Sequence, residues 1–150
     1  MTLSARCELR LAGVHPDLVR VVHTLAAGGA LFRVEEGIRT VERQRQLVAK
    51  GASQTMASRH ITGHAVDLLP LVDGQPTFDW KYYFPLADAF RAAAIAEGVP
   101  VIWGGAWNQE MAEYATAKAG QAAYVARVKE ARRKPFLDGP HFELFRARYP

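Results

Sequence analysis

Two short polar runs, far apart in the chain, constrain this sequence more than any other feature. S-R-H-I-T-G-H-A-V-D spans residues 58–67, and D-G-P-H-F-E-L spans 138–144. Together they carry His60, Asp67 and His141, two imidazoles and a carboxylate of the kind that holds a catalytic zinc through three protein ligands and leaves a fourth position for water. Asp138 stands three residues before the last of them and is the natural candidate for the base that works on that water. A fold that uses this set must bring the two runs together.

Each histidine alone is an ordinary surface or hydrogen-bonded residue. Context separates His60 and His141 from the other three. Both lie within three residues of a glycine, in polar clusters flanked by strand-like sequence, where loop ends present side chains from a rigid scaffold. Asp67 sits between Val66 and Leu68, and a carboxylate among apolar neighbours is costly unless paired or coordinated. Pairing His60 with His64 at helical spacing fails, because the helical zinc motif needs Glu where Ile61 stands. Gly63, Ile61 and Thr62 also disfavour a helix there. His64 is left as a substrate contact or a support for a ligand, and His15 and His23 read as structural.

The rest of the chain bounds the setting. At 150 residues it reads as one domain, 1–150, with 49% hydrophobic and 23% charged residues, enough for a core without staples. One cysteine, Cys7, excludes a disulfide framework and a cysteine-built metal site. No apolar run approaches the ~18 residues of a membrane span, and the charged N-terminus does not read as a signal peptide. A net charge of +4 favours a polyanionic partner. No nucleic-acid-binding signature accompanies it, so nucleic acid is not expected among the partners.

Periodicity predicts mixed elements. Leu18, Val21, Val22 and Leu25 recur at helical spacing after Pro16 and before Gly28. Residues 30–35 alternate as a strand, and Thr40 caps a helix to about Lys50. H-A-V-D-L-L-P-L-V reads as a strand carrying Asp67, followed by a turn at 72–76. Pro85 is expected to start a helix ending at Gly98, with strands at 99–103 and 141–145. Residues 109–133 are expected to be helical, with Gly120 as a break. The order of elements favours an α+β class, a small antiparallel sheet flanked by helices, over a doubly wound sheet.

S-x-H-x-x-G-x-A-x-D, met by Ser58, His60, Gly63, Ala65 and Asp67, followed late by D-x-x-H, resembles the zinc D-Ala-D-Ala carboxypeptidase and L-alanyl-D-glutamate peptidase family. G-I-R-T-V-E-R-Q at 37–44, G-A-S-Q-T at 51–55 and W-G-G-A-W at 103–107 look like its other blocks in the same order. The resemblance covers most of residues 14–149 and is nearest to the phage endolysin branch.

It implies a hedgehog/DD-peptidase fold, Zn2+ on His60, Asp67 and His141, and Asp138 as catalytic base. It further implies that Arg39 steadies the scissile carbonyl oxygen and that Ser58 holds substrate. Trp103 is expected to line the cleft, with glycines beside it admitting a peptide. Glu143, two residues beyond His141 and on the same strand face, is expected to support that imidazole. Gln44 reads either as such a support or as a helix-surface residue.

The expected activity is hydrolysis of amide bonds in peptidoglycan stem peptides. L-alanyl-D-glutamate endopeptidase is the first choice, D,D- or L,D-carboxypeptidase the second, and a non-catalytic zinc-containing wall-binding module the third. The expected protein is a monomer made in the host cytoplasm that acts on the periplasmic wall after release. Two departures stand out. Ala106 occupies a position where the family often has an acid. The segment 108–134 reads as a helical insertion with basic residues on its surface.

Overall fold

The computed structural model describes residues 2–150. Its helices are α1 (Ala5–Arg10), α2 (Pro16–Ala27), α3 (Val41–Ala49), α4 (Trp80–Glu97) and α5 (Ala117–Glu130); its strands are β1 (Phe32–Glu36), β2 (Ala65–Val72), β3 (Gln75–Pro76), β4 (Val101–Trp103) and β5 (His141–Leu144). All strand pairs are antiparallel, in the order β1-β2-β5-β4, with β3 turned back on the end of β2. The fold is the α+β, small-sheet architecture expected from the sequence.

Register assigns the two faces of this sheet. Asp67 lies opposite His141, and Ala65 opposite Glu143, whereas Val66 lies opposite Phe142. Side chains alternate along a strand, and directly opposed residues share a face. One face therefore carries Asp67, His141 and Glu143, and the other carries Val66, Leu68, Phe142 and Leu144 into the core. Helices α2 and α4 cover that second face with Leu18, Val21, Val22, Phe90 and Ala94, all buried. The rings of Phe90 and Phe142 stack at 4.1 Å between centroids.

The same alternation corrects the expectation for Trp103. It lies opposite Phe142, so its indole enters the core with none of its surface exposed, packed near Trp80 and Phe84. Its Nε1 donates to the Gly139 carbonyl at 2.8 Å. The adjoining glycines admit the protein's own chain rather than a peptide. A Cβ on Gly104 would stand 2.3 Å from the Asp138 carbonyl oxygen, and one on Gly105 would strike the Trp103 ring.

Two helical expectations change and one helix is added. Helix α1, for which no element was expected, is capped by Ser4, whose hydroxyl accepts from the Cys7 amide. Helix α4 begins at Trp80, with Asp79 as its cap and Pro85 inside it. The proline removes one backbone bond, but Trp80 and Phe84 pack on Trp103 and hold the extra turn in place. Gly120 does not break α5; the interruption comes earlier, where a 3-10 turn at Met111–Glu113 precedes the Thr116 cap. A side chain at 120 would collide with the Tyr114 ring. Met111, Tyr114, Ala117 and Tyr124 are buried, so the segment is docked on the domain and not merely solvated.

Gly63 ties the first polar run to the N-terminal part. Its φ is +76°, and a Cβ there would lie 2.5 Å from the Gly13 carbonyl oxygen, while its own carbonyl accepts from the His15 amide at 2.8 Å. Gly63→Ala combines a left-handed backbone with that clash. The expected loss of stability exceeds about 1–3 kcal/mol, seen as a lower unfolding midpoint by circular dichroism; a midpoint equal to wild type would refute this reading.

Candidate metal centre

Strand β2 delivers Asp67, β5 delivers His141, and the turn at 58–63 delivers His60. That turn is fixed by backbone bonds from the Arg39 amide to the His60 carbonyl, and from the Gly63 amide to the same oxygen, at 3.0 and 3.3 Å. His60 Nε2 lies 3.0 Å from Asp67 Oδ1 and 3.2 Å from His141 Nδ1, and His141 Nδ1 lies 3.3 Å from Asp67 Oδ1. Among the described residues this is the group whose ligand atoms are arranged to hold a metal ion.

The outer edges of the imidazoles settle what the inner edges offer. His60 Nδ1 faces the Gly37 carbonyl at 2.8 Å, and His141 Nε2 faces Glu143 Oε1 at 2.9 Å. A carbonyl only accepts, as does an ionised carboxylate, so each ring's proton points outward. In the neutral rings, two lone pairs and a carboxylate oxygen then face one another without a proton between them. Such an arrangement favours a cation at its centre, whether a proton or a metal ion. Tetrahedral zinc with bonds of ~2.0–2.1 Å separates its ligand atoms by about 3.3 Å, which matches the triangle found here. The residues fit the ion.

Electrostatics agree. Burial alone would raise the pKa of Asp67, but the adjacent His60 and His141 imidazoles hold it well below the usual carboxylate range. Burial likewise opposes the charged form of His141, yet the Asp67 and Glu143 carboxylates on either side favour it and push its pKa up to about 10. The field that favours a proton there also favours a metal cation.

Arg39 lines the cleft and is largely engaged by the protein. Its Nε and Nη2 donate to the two carboxylate oxygens of Glu36 at 2.6 and 2.8 Å. Nη1 donates to Gln44 Oε1 at 2.7 Å, and Nη2 lies 3.6 Å from Asp67 Oδ2. Arg39 thus faces one oxygen of Asp67 while the imidazoles face the other. Gln44 is buried and passes the link on to Ser53 through its amide nitrogen. Ser58 also lines the cleft, where its hydroxyl accepts from the His60 amide at 3.3 Å.

Asp138 borders the same cleft, and no side-chain hydrogen bond from the described residues holds its carboxylate. Burial and the nearby Asp67 charge push its pKa up to about 6, against the pull of His141, His60 and Arg39. The cleft measures about 660 Å3. Its aromatic wall is Trp107, 5.1 Å from the His141 ring and stacked with Phe136. Trp107 occupies the place expected of Trp103. His64 is turned away from the cleft and bonds Thr62.

Sequence reasoning missed Glu36 and Arg59. The register of β1 shifts between Val34 and Glu36, an extra residue that lets Glu36 rather than Glu35 lie opposite Asp67. Arg59, between Ser58 and His60, is only 6% exposed; burial and the neighbouring Arg146 charge hold its pKa below the ordinary value.

Fold and site together define the class as hedgehog/DD-peptidase-like. The chain matches the phage L-alanyl-D-glutamate peptidase family over residues 1–145 and belongs to it. It is 33% identical over 108 residues to an L-alanyl-D-glutamate peptidase of Escherichia phage T5, covering 67% of this chain and 77% of that protein. An L-alanyl-D-glutamate peptidase of Listeria phage A118 is 39% identical over 82 residues, 55% of this chain and 28% of its own length. The crystal structure of the Serratia marcescens L-Ala D-Glu endopeptidase ChiX superposes with a TM-score of 0.76 at 38% identity, covering 100% of this chain and 94% of that one.

Two substitutions separate ligand from support. His141→Ala should abolish stoichiometric zinc binding, while Glu143→Gln should retain the fold and weaken zinc affinity by roughly 10–100-fold. Competition with a chromophoric chelator measures both. Unchanged affinity in Glu143→Gln would show that the carboxylate does not support the ligand.

Proposed function

We propose that this protein is a zinc-dependent peptidase that hydrolyses the L-alanyl-D-glutamate bond of peptidoglycan stem peptides. The observation that carries the reading is the His60–Asp67–His141 triangle at the floor of a cleft, with the Asp138 carboxylate free of protein partners beside it. The family and the names of its relatives supply the bond; the geometry supplies the chemistry. A structural metal site has no need of such a carboxylate, which disfavours a non-catalytic wall-binding module.

His60, Asp67 and His141 would hold the zinc, which when bound acts as a Lewis acid and lowers the pKa of water. The chain's own residues do the rest. Gly37 and Glu143 hold the two imidazoles in the tautomers that turn lone pairs inward. Asp138, with nothing else to bond, accepts the proton of the attacking water and returns it to the leaving amine. Arg39 keeps a fixed positive charge on the cleft wall, where negative charge develops on the attacked carbonyl oxygen. Ser58 and Trp107 border the space that the peptide occupies.

Asp138→Asn should keep zinc and fold but lower turnover by roughly 10²–10⁴-fold. Digestion of defined muropeptides followed by mass analysis checks both rate and bond. New N-terminal D-Glu is the expected product. Release of terminal D-Ala would instead mark a carboxypeptidase, and wild-type lysis rates in Asp138→Asn would remove the base from the mechanism.

A further inference from the structure

Three cations line the cleft: Arg39, Arg59 and Arg146. Arg39 is ion-paired with Glu36 and faces Asp67. The other two have no carboxylate within ion-pair distance among the described residues. Arg59 is the sharper case. Its side chain is more than nine-tenths buried, one Nη donates to the Tyr149 backbone carbonyl, and Nε has no partner at all. A guanidinium taken out of water with a donor unpaired is costly. Arg146, exposed just beyond β5, adds a second positive charge near it and makes the arrangement less favourable still.

The fold keeps two mutually repelling cations in one cleft without an ion-pair partner; the Glu143 charge, itself bonded to His141, offsets Arg59 only from a distance, and a bound anion relieves the remaining cost. The substrate assigned above carries that anion. One carboxyl of a glutamyl residue continues the peptide, and the other is free. A planar guanidinium suits a carboxylate because it offers parallel donors. Position agrees: Arg59 immediately precedes His60, Arg146 follows the strand that bears His141, and all four line the same cleft.

We propose that Arg59 and Arg146 form the subsite that receives the free carboxylate of the D-glutamyl residue, and so select a glutamyl over an uncharged residue on the leaving side of the bond. The proposal rests on the peptidase reading for its substrate, but it makes a separate claim about binding.

The test uses two synthetic stem-peptide fragments that differ in one group, the free carboxyl of D-Glu in one and its carboxamide in the other. Binding to the zinc-loaded Asp138→Asn protein is measured by calorimetry. The carboxylate peptide should bind roughly tenfold more tightly or better, as a charge-assisted hydrogen bond requires. Arg146→Gln, at an exposed position, should erase most of that preference. Arg59→Gln should do the same, with its unfolding midpoint recorded because Arg59 also anchors Tyr149.

Equal binding of the two peptides would overturn the proposal. So would a preference that survives in Arg146→Gln, or a loss that affects both peptides alike. A peptide bound with the expected preference but left intact by the wild-type enzyme would leave the subsite standing and sink the peptidase reading alone.

Discussion

The pairing of Asp67 with His141 across β2 and β5 is the constraint on which the rest of this structure depends. Because opposed residues share a sheet face, this single register sends Val66, Phe142 and Trp103 into the core and Asp67, His141 and Glu143 to the cleft. A slip of one residue would exchange the two faces, burying carboxylates against α2 and α4 and exposing Phe142. The hydrophobic core and the candidate metal site are therefore specified by the same backbone bonds. The register shift in β1 extends the arrangement by adding Glu36 to the cleft side.

Each group at the site is oriented by a polar partner behind it. Gly37 holds His60, Glu143 holds His141, and Glu36 holds Arg39, which in turn faces Asp67. Burying so many charges is not a route to stability, since paired buried ions roughly break even against apolar packing. What they provide is fixed direction. The environment also divides two nearby carboxylates into distinct roles: Asp67, surrounded by imidazoles, stays ionised, while Asp138, buried and beside Asp67, is pushed toward proton exchange. Environments that drive two acids apart support the proposed division into ligand and proton carrier.

Much of this was legible in the sequence. Alternation gave the strand around Phe32 and Val34, the spacing of Leu18 to Leu25 gave α2, and Asp73-Gly74, both with positive φ, form the hairpin turn expected at 72–76. The candidate ligand set was visible because a carboxylate between Val66 and Leu68 needs a reason to be there, and the structure brings its three members together. What stayed hidden depends on register or on distant partners. Trp103 and Trp107 look alike in sequence, and only the pairing of Trp103 with Phe142 separates core from cleft. Pro85 looks like a helix start until the aromatic contacts of Trp80 are known. Glu36 reads as an inward-facing strand position unless the shift in β1 is seen, and Arg59 carries no periodic signal at all.

The segment 108–134 shows how an apparent insertion becomes part of the site. Its two ends are joined where Trp107 stacks on Phe136, and Tyr124 of α5 both donates to the Phe136 carbonyl and accepts from its amide. With its ends held together and Met111, Tyr114 and Ala117 seated against the domain, the segment adds a modest closure cost. Asp138 follows Phe136 by two residues and is tied to Gly104 by a backbone bond of 2.9 Å. The carboxylate that borders the candidate metal centre is thus anchored on one side to the end of β4 and on the other to α5. The helix contributes no group to the chemistry; it fixes the stretch of chain from which the Asp138 carboxylate projects.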